Sequence, residues 1–330
     1  MLTLVTGGTG LLGNNLVRLL LERGAPVRVL ARATSDPRPL AGLDVEIVRG
    51  DVRDAESVRQ AVQGVSRIFH CAAWVHIGWS GAELARNINV EGTRNVCRAA
   101  RESGARLVHV SSVDALGIRG GAEPDDEETP PGNEVLCPYV VTKREAEQVL
   151  LAEVTVGLDA TIVNPGFMIG PWDWRPSSGR MLLTVAQGLG LAAPLGSNNY
   201  CDVRDVAAGA LAAAERGLRG RRYILGGERL TYKEAWRTMA DVTGARRPIF
   251  RAGPLVRVVA GGAGDLWTRL TGHEPDVNSA ATGIAAQRRN FSSARAMAEL
   301  GYQPRPLAEA AEAAWKWFLD HEYAKPRRAR

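Results

Sequence analysis

Cysteine is scarce in this chain. Among 330 residues there are four, Cys71, Cys97, Cys137 and Cys201, and none stands in a C-x-x-C pair or at another metal-ligand spacing. A disulfide scaffold and a cysteine metal centre are therefore not expected, and a reduced, cytoplasmic setting is. No apolar run is long enough to span a bilayer. The first residues already read as a strand, so no signal peptide is expected. No internal repeat and no low-complexity block occurs. The acidic, proline-rich stretch from Glu123 to Pro131 has no metal-ligand pattern and reads as a solvated surface loop. Hydrophobic residues make up 45% and charged residues 23%, which suits a globular protein with a sizeable core. The net charge of +5 lies partly in the tail, residues 325–330. That tail reads as a frayed, solvated end rather than a nucleic-acid contact.

What is present is a strand–helix alternation. Leu2-Thr3-Leu4-Val5 reads as a strand. It enters Thr6-Gly7-Gly8-Thr9-Gly10-Leu11-Leu12-Gly13, after which Leu12, Leu16, Leu19 and Leu20 recur at helical spacing up to Gly24. A second strand follows at Val27–Leu30. A glycine-rich turn between a strand and a helix can hold a dinucleotide pyrophosphate, because glycine permits the turn and the helix start offers N–H donors. Where an acid would take the ribose hydroxyls of NAD, this chain has Ala31-Arg32. Arginine there can fork onto a 2′-phosphate, which favours NADP over NAD; the alternative is that Arg32 is simply exposed. Strand alternation points Arg28 elsewhere. Asp51, beside Val52, could accept from the adenine amino group or could cap the helix from Ala55 to Val62. The strand Arg67–His70 ends in Cys71-Ala72-Ala73, small enough for a cofactor to lie across it, and His70 reads as a core histidine. A long helix is expected from Leu84 to Ser103, and a fifth strand, Leu107–Val110, runs into Ser111-Ser112. A sixth, Ala160–Val163, ends at Asn164-Pro165-Gly166. Six such strands predict a doubly wound, Rossmann-type parallel sheet. A dinucleotide-binding domain over 1–165 and a smaller substrate lobe over 166–330 are expected, the chain crossing back near 202–225.

Tyr139 and Lys143 stand four apart, on one face of a helix. An ammonium beside a phenol favours the phenolate, which makes a proton donor or acceptor usable near neutral pH.

Taken in order, the glycine turn, Asn89–Thr93, Ser111 to Gly117, Tyr139 to Lys143, Asn164 to Pro171 and Asp202–Ala207 resemble the extended short-chain dehydrogenase/reductases over essentially the whole chain. The likeness is greatest to dihydroflavonol-4-reductase-like proteins and the so-called hopanoid-associated sugar epimerases. The resemblance implies hydride transfer with nicotinamide and a catalytic triad. Ser112 would polarise the substrate oxygen, with Ser111 as the other candidate, Tyr139 would pass the proton, and Lys143 would hold the nicotinamide ribose. It implies cofactor contacts at Gly7, Thr9, Gly10, Leu11, Leu12, Gly13, Arg32, Asp51, Val52, Ala72, Ala73, Tyr139, Lys143, Pro165 and Gly166. Family members often dimerise through helices like those at 84–103 and 139–153, so a homodimer is one expectation.

Trp74, Trp79, Trp172 and Trp174 fall in two loops expected to flank the nicotinamide. Aromatic faces suit a flat or apolar small molecule, although the same indoles could instead close the lobe interface. Arg204 is a further substrate candidate, and with Arg175 and Arg180 it could hold a nucleotide-sugar pyrophosphate. Two functions follow: an NADP-dependent reductase of a bulky apolar ketone or aldehyde, and a nucleotide-sugar epimerase or dehydratase that retains NAD. A cofactor-sensing scaffold without turnover is a third, and an intact Ser112, Tyr139 and Lys143 set argues against it.

Overall fold

The computed structural model describes residues 1–132 and 134–325; residues 326–330, most of the basic tail, lie outside the described residues. Among the described residues there are twelve strands, and helices separate most of the first six. β1 (Thr3–Thr6), β2 (Val27–Ala31), β3 (Glu46–Arg49), β4 (Arg67–His70), β5 (Arg106–Val110) and β6 (Ala160–Pro165) come first. β7 (Phe167–Ile169), β8 (Ala192–Ala193), β9 (Ser197–Asp202), β10 (Arg222–Leu225), β11 (Glu228–Thr231) and β12 (Phe250–Arg251) follow. Seven of them form a parallel sheet in the order β10-β6-β5-β4-β1-β2-β3. This is the Rossmann-type doubly wound architecture. Its strand order reverses between β1 and β4, where ligands bind in such sheets.

The strand sequences explain their places. β1 is buried on both faces. Its Val5 packs with Leu12, Leu16 and Leu20 on one side, and Leu4 packs with Val58, Val96 and Leu150 on the other, as a period of two requires. β3, with Glu46 and Arg49 exposed, is a charged sheet edge. The six expected strands are joined by β10. It is fed by the helix Val203–Arg216, whose Val203, Val206 and Ala210 pack into the Leu12–Leu16–Leu20 cluster.

Two local expectations change. The helix Ala55–Ala61 is capped by Asp54, whose carboxylate accepts from the N–H groups of Glu56 and Ser57, so Asp51 is not its cap. The long helix runs from Ala82 to Ser103 but passes through a π-helical stretch, Arg86–Glu91. Such insertions re-aim side chains near functional sites.

A third core surrounds the small sheet β11-β9-β7. Tyr200, Met239, Ala314, Trp317 and Phe318 fill it, from β9 and the helices Tyr232–Thr243 and Leu307–Asp320.

Candidate active site

A cleft of about 410 Å³ opens along the carboxyl ends of the parallel strands. One end is floored by the glycine turn. Gly7 adopts φ +72°, a left-handed conformation that L side chains rarely take. A Cβ on Gly13 would run into the Gly7 carbonyl oxygen. Glycine at these two positions lets the helix Leu11–Glu22 start immediately behind the turn. That start has no side-chain cap and no acid in its first turn, so its leading N–H groups and positive dipole end remain available to an anion. Asn14, buried inside the same helix, donates to the carbonyls of Gly8 and Pro39 and holds the turn in shape. These features fit a dinucleotide pyrophosphate.

Thr9, Gly10, Leu11 and Leu12 line the cleft, as do Asp51, Val52, Ala72 and Ala73. Arg32 stands exposed at the end of β2, beside Ser35 and Asp36. Asp36 is forked by Arg38 at 2.7 Å, and Asp51 is held by Arg53 at 2.8 Å. Both carboxylates are pushed below their ordinary range, chiefly by those arginine hydrogen bonds. Arg32 forms no salt bridge among the described residues, although its charge favours the Asp51 carboxylate. Ser35 and Asp36 escaped sequence reading, because only the turn after β2 folds them back to the cleft. Pro165 and Gly166 do not line it. A Cβ on Gly166 would meet the Asn199 carbonyl oxygen, so this glycine lets the link between β6 and β7 run close against β9. Met168, Asp173, Arg175 and Ser177 line that side instead. Burial raises the Asp173 carboxyl to about 6, opposed by the N–H donors of Ser177 and Gly179.

The other end carries Tyr139 and Lys143, both buried, on the helix Pro138–Thr155. The Lys143 ammonium donates to the Val110 carbonyl at 2.9 Å. Burial lowers its pKa to about 8, partly offset by Glu147 one turn further along. Glu147 in turn pairs with Arg222 at 2.6 Å. The Tyr139 phenol is pushed up, chiefly by burial and then by Asp114, while the Ser112 hydroxyl favours its ionised form. In this structure burial outweighs the phenol-acidifying effect expected from Lys143. The two adjacent serines have different surroundings. Ser112 Oγ donates to Asp114 Oδ2 at 2.9 Å and stands by Tyr139. Ser111 lines the cleft, and its buried hydroxyl has no hydrogen-bond partner. Asp114 is anchored from across the chain by Arg289 at 2.5 Å, a contact with no local sequence signal. His70 is a buried strand-end histidine between the hydroxyls of Thr6 and Thr93.

Of the four tryptophans, Trp74 lines the cleft. Asn89, presented by the π-helical stretch, accepts from the Trp74 N–H and donates to its carbonyl, fixing that loop. Trp79 is turned away and donates to Ser279 Oγ at 2.7 Å. Trp172 and Trp174 pack against Trp317 and His321, with Arg18 stacked 3.3 Å from the Trp172 ring centre. Both indoles are half-buried against the third core, and neither lines the cleft. Arg204 lies on the far side of the helix Leu11–Glu22, beside Arg18 and Arg305, and is paired with Asp202. Arg180 is paired with Asp276 at 2.6 Å. Of the three arginines considered for a pyrophosphate, Arg175 alone reaches the cleft.

This fold and cleft carry a family name. Residues 3–226 match the model of the NAD dependent epimerase/dehydratase family, and the chain belongs to it, as an NAD(P)-dependent oxidoreductase of the extended short-chain dehydrogenase/reductase type. It is 38% identical to sterol demethylase protein B of Methylococcus capsulatus, over 97% of this chain and 99% of the relative. It is 35% identical to a putative dihydroflavonol 4-reductase of Synechocystis, over 97% and 95%. Among solved structures, that of gox2253 superposes with a TM-score of 0.86 at 37% identity, covering 98% of this chain and 99% of the other.

Proposed function

We infer that the protein is an NADP-dependent reductase of a ketone or aldehyde on a bulky, largely apolar molecule, or a dehydrogenase passing the hydride of the corresponding alcohol to the oxidised cofactor. The observation that carries this is one cleft with a vacant arginine, Arg32, at its adenosine end and buried Tyr139 and Lys143 at the other. The glycine turn would hold the pyrophosphate and Arg32 with Ser35 the 2′-phosphate. Asp51 and Val52 would border the adenine, and Lys143 the nicotinamide ribose. Bound there, the nicotinamide supplies or takes the hydride. Ser112 hydrogen-bonds the substrate oxygen. Tyr139 gives that oxygen its proton or removes it. Lys143 adds a positive charge that favours the phenolate once the site is filled. The burial of all three keeps water from competing. Trp74 offers the substrate an aromatic face. Two relatives bear the names of a sterol and of a dihydroflavonol, both broad ring systems.

A second reading, a nucleotide-sugar epimerase or dehydratase retaining NAD, draws on Asp36, an acid in the cleft after β2. Arg38 already occupies that carboxylate, which favours the first reading. The test is titration of purified protein with NADPH and NADH by fluorescence quenching. Preference for NADPH is expected, and Arg32→Ala should weaken NADPH about tenfold or more while leaving NADH nearly unchanged. NAD carried through purification, or equal losses for both cofactors, would move the assignment to the second reading.

A further inference from the structure

The helix Pro254–Thr271 is built inside out. Its buried face carries Gly261 and Gly264, where a Cβ would strike Ser279 and the Val277 carbonyl of the neighbouring segment. Its outer face carries Leu255, Val259, Leu266 and Leu270, which the helical period aligns. They are exposed by 76%, 62%, 55% and 76%. Trp267 and the adjoining Ile249 and Phe250 are likewise more than half exposed. A continuous apolar face of this kind marks an interaction surface.

The charges around it are sorted. Arg246, Arg251, Arg257 and Arg269 are exposed and form no salt bridge among the described residues. The nearby acids are engaged. Asp265 accepts from the Ser279 N–H, Glu274 from Trp79 and Ser80, and Asp276 pairs with Arg180. Apolar residues with an indole and a basic rim match a bilayer interface bearing anionic headgroups. A two-fold pairing of this face with itself would bring like-charged arginines together. No described helix is long and apolar enough to cross a membrane.

We propose that this helix, with Ile249 and Phe250, docks the protein on an anionic lipid bilayer, lying in the interface. Docking there would set the cleft at the membrane. The next helix, Ser279–Ala286, packs Ala280 and Ile284 against Tyr139 and Val140, and Glu274 ties the same hairpin to the loop that follows Trp74. The proposal does not depend on cofactor choice or substrate.

The experiment is flotation of the full-length protein with phosphatidylcholine vesicles, with and without phosphatidylglycerol. Binding is expected with phosphatidylglycerol and should fall with added salt. The double variant Leu266→Glu/Leu270→Glu should lower the bound fraction at least about tenfold, and Arg257→Glu/Arg269→Glu should remove the preference for phosphatidylglycerol. Melting curves check that both variants fold. Wild-type protein that stays with the unbound fraction would overturn the proposal, as would a folded double variant that floats as well as wild type. A dimer in light scattering that the leucine variant dissociates, without vesicle binding, would show that a second copy covers the face.

Discussion

Two adjacent serines follow one strand end in different surroundings. Ser112 is tied to Asp114 and stands by the Tyr139 phenol; Ser111 presents an unpartnered hydroxyl to the cleft. If Ser112 polarises the substrate and Ser111 meets the cofactor, Ser112→Ala and Tyr139→Phe should each lower kcat about 100-fold or more with cofactor affinity kept. Ser111→Ala should chiefly weaken cofactor binding. Steady-state kinetics with cofactor titration separate these outcomes, and a loss of turnover confined to Ser111→Ala would reverse the assignment. Arg289 belongs to the same scale. It holds Asp114, which holds Ser112, and so positions a group it does not touch.

At the level of elements, the glycine turn and the helix behind it act as a unit. The steric case separates glycines that look alike in sequence. Gly13 abuts the Gly7 carbonyl, whereas Gly24, left-handed at φ +69°, has nothing near its Cβ position. Gly13→Ala should therefore push the helix from the turn and weaken the dinucleotide at least about tenfold. Gly24→Ala should cost about 1–2 kcal/mol of stability, with cofactor affinity unchanged. Fluorescence titration beside denaturant melts would distinguish them, and equal cofactor losses would refute the steric argument. The π-helical stretch Arg86–Glu91 is a second such unit, since it presents Asn89 to the Trp74 backbone. A plain helical period predicts the helix but not this aim.

At the scale of the whole molecule, Trp317 and Trp74 stand in contrast. Trp317, only 5% exposed, joins Trp172, Trp174 and His321 in the third core. Trp317→Ala should lower stability by about 3–5 kcal/mol. Trp74→Ala should leave stability nearly unchanged and raise KM severalfold. Urea melts and initial-rate kinetics on the two variants check this; the reverse pattern would mean that the third core, and not the Trp74 loop, meets the substrate.

Local chemistry by itself determined the parallel sheet, the glycine turn, the helical pairing of Tyr139 with Lys143 and the family motifs, because each depends on periodicity or on residues close in sequence. Even there the outcome of competing effects needed the fold: burial, not the neighbouring ammonium, dominates the Tyr139 phenol in this structure. Tertiary structure alone decided which serine meets the cleft, that Arg204 faces away from it, and that Arg289 reaches Asp114. It also decided that two of the four loop tryptophans pack against the third core. Each of these depends on contacts between residues far apart in the chain, set by how the strands and helices cover one another's apolar faces, which spacing does not encode.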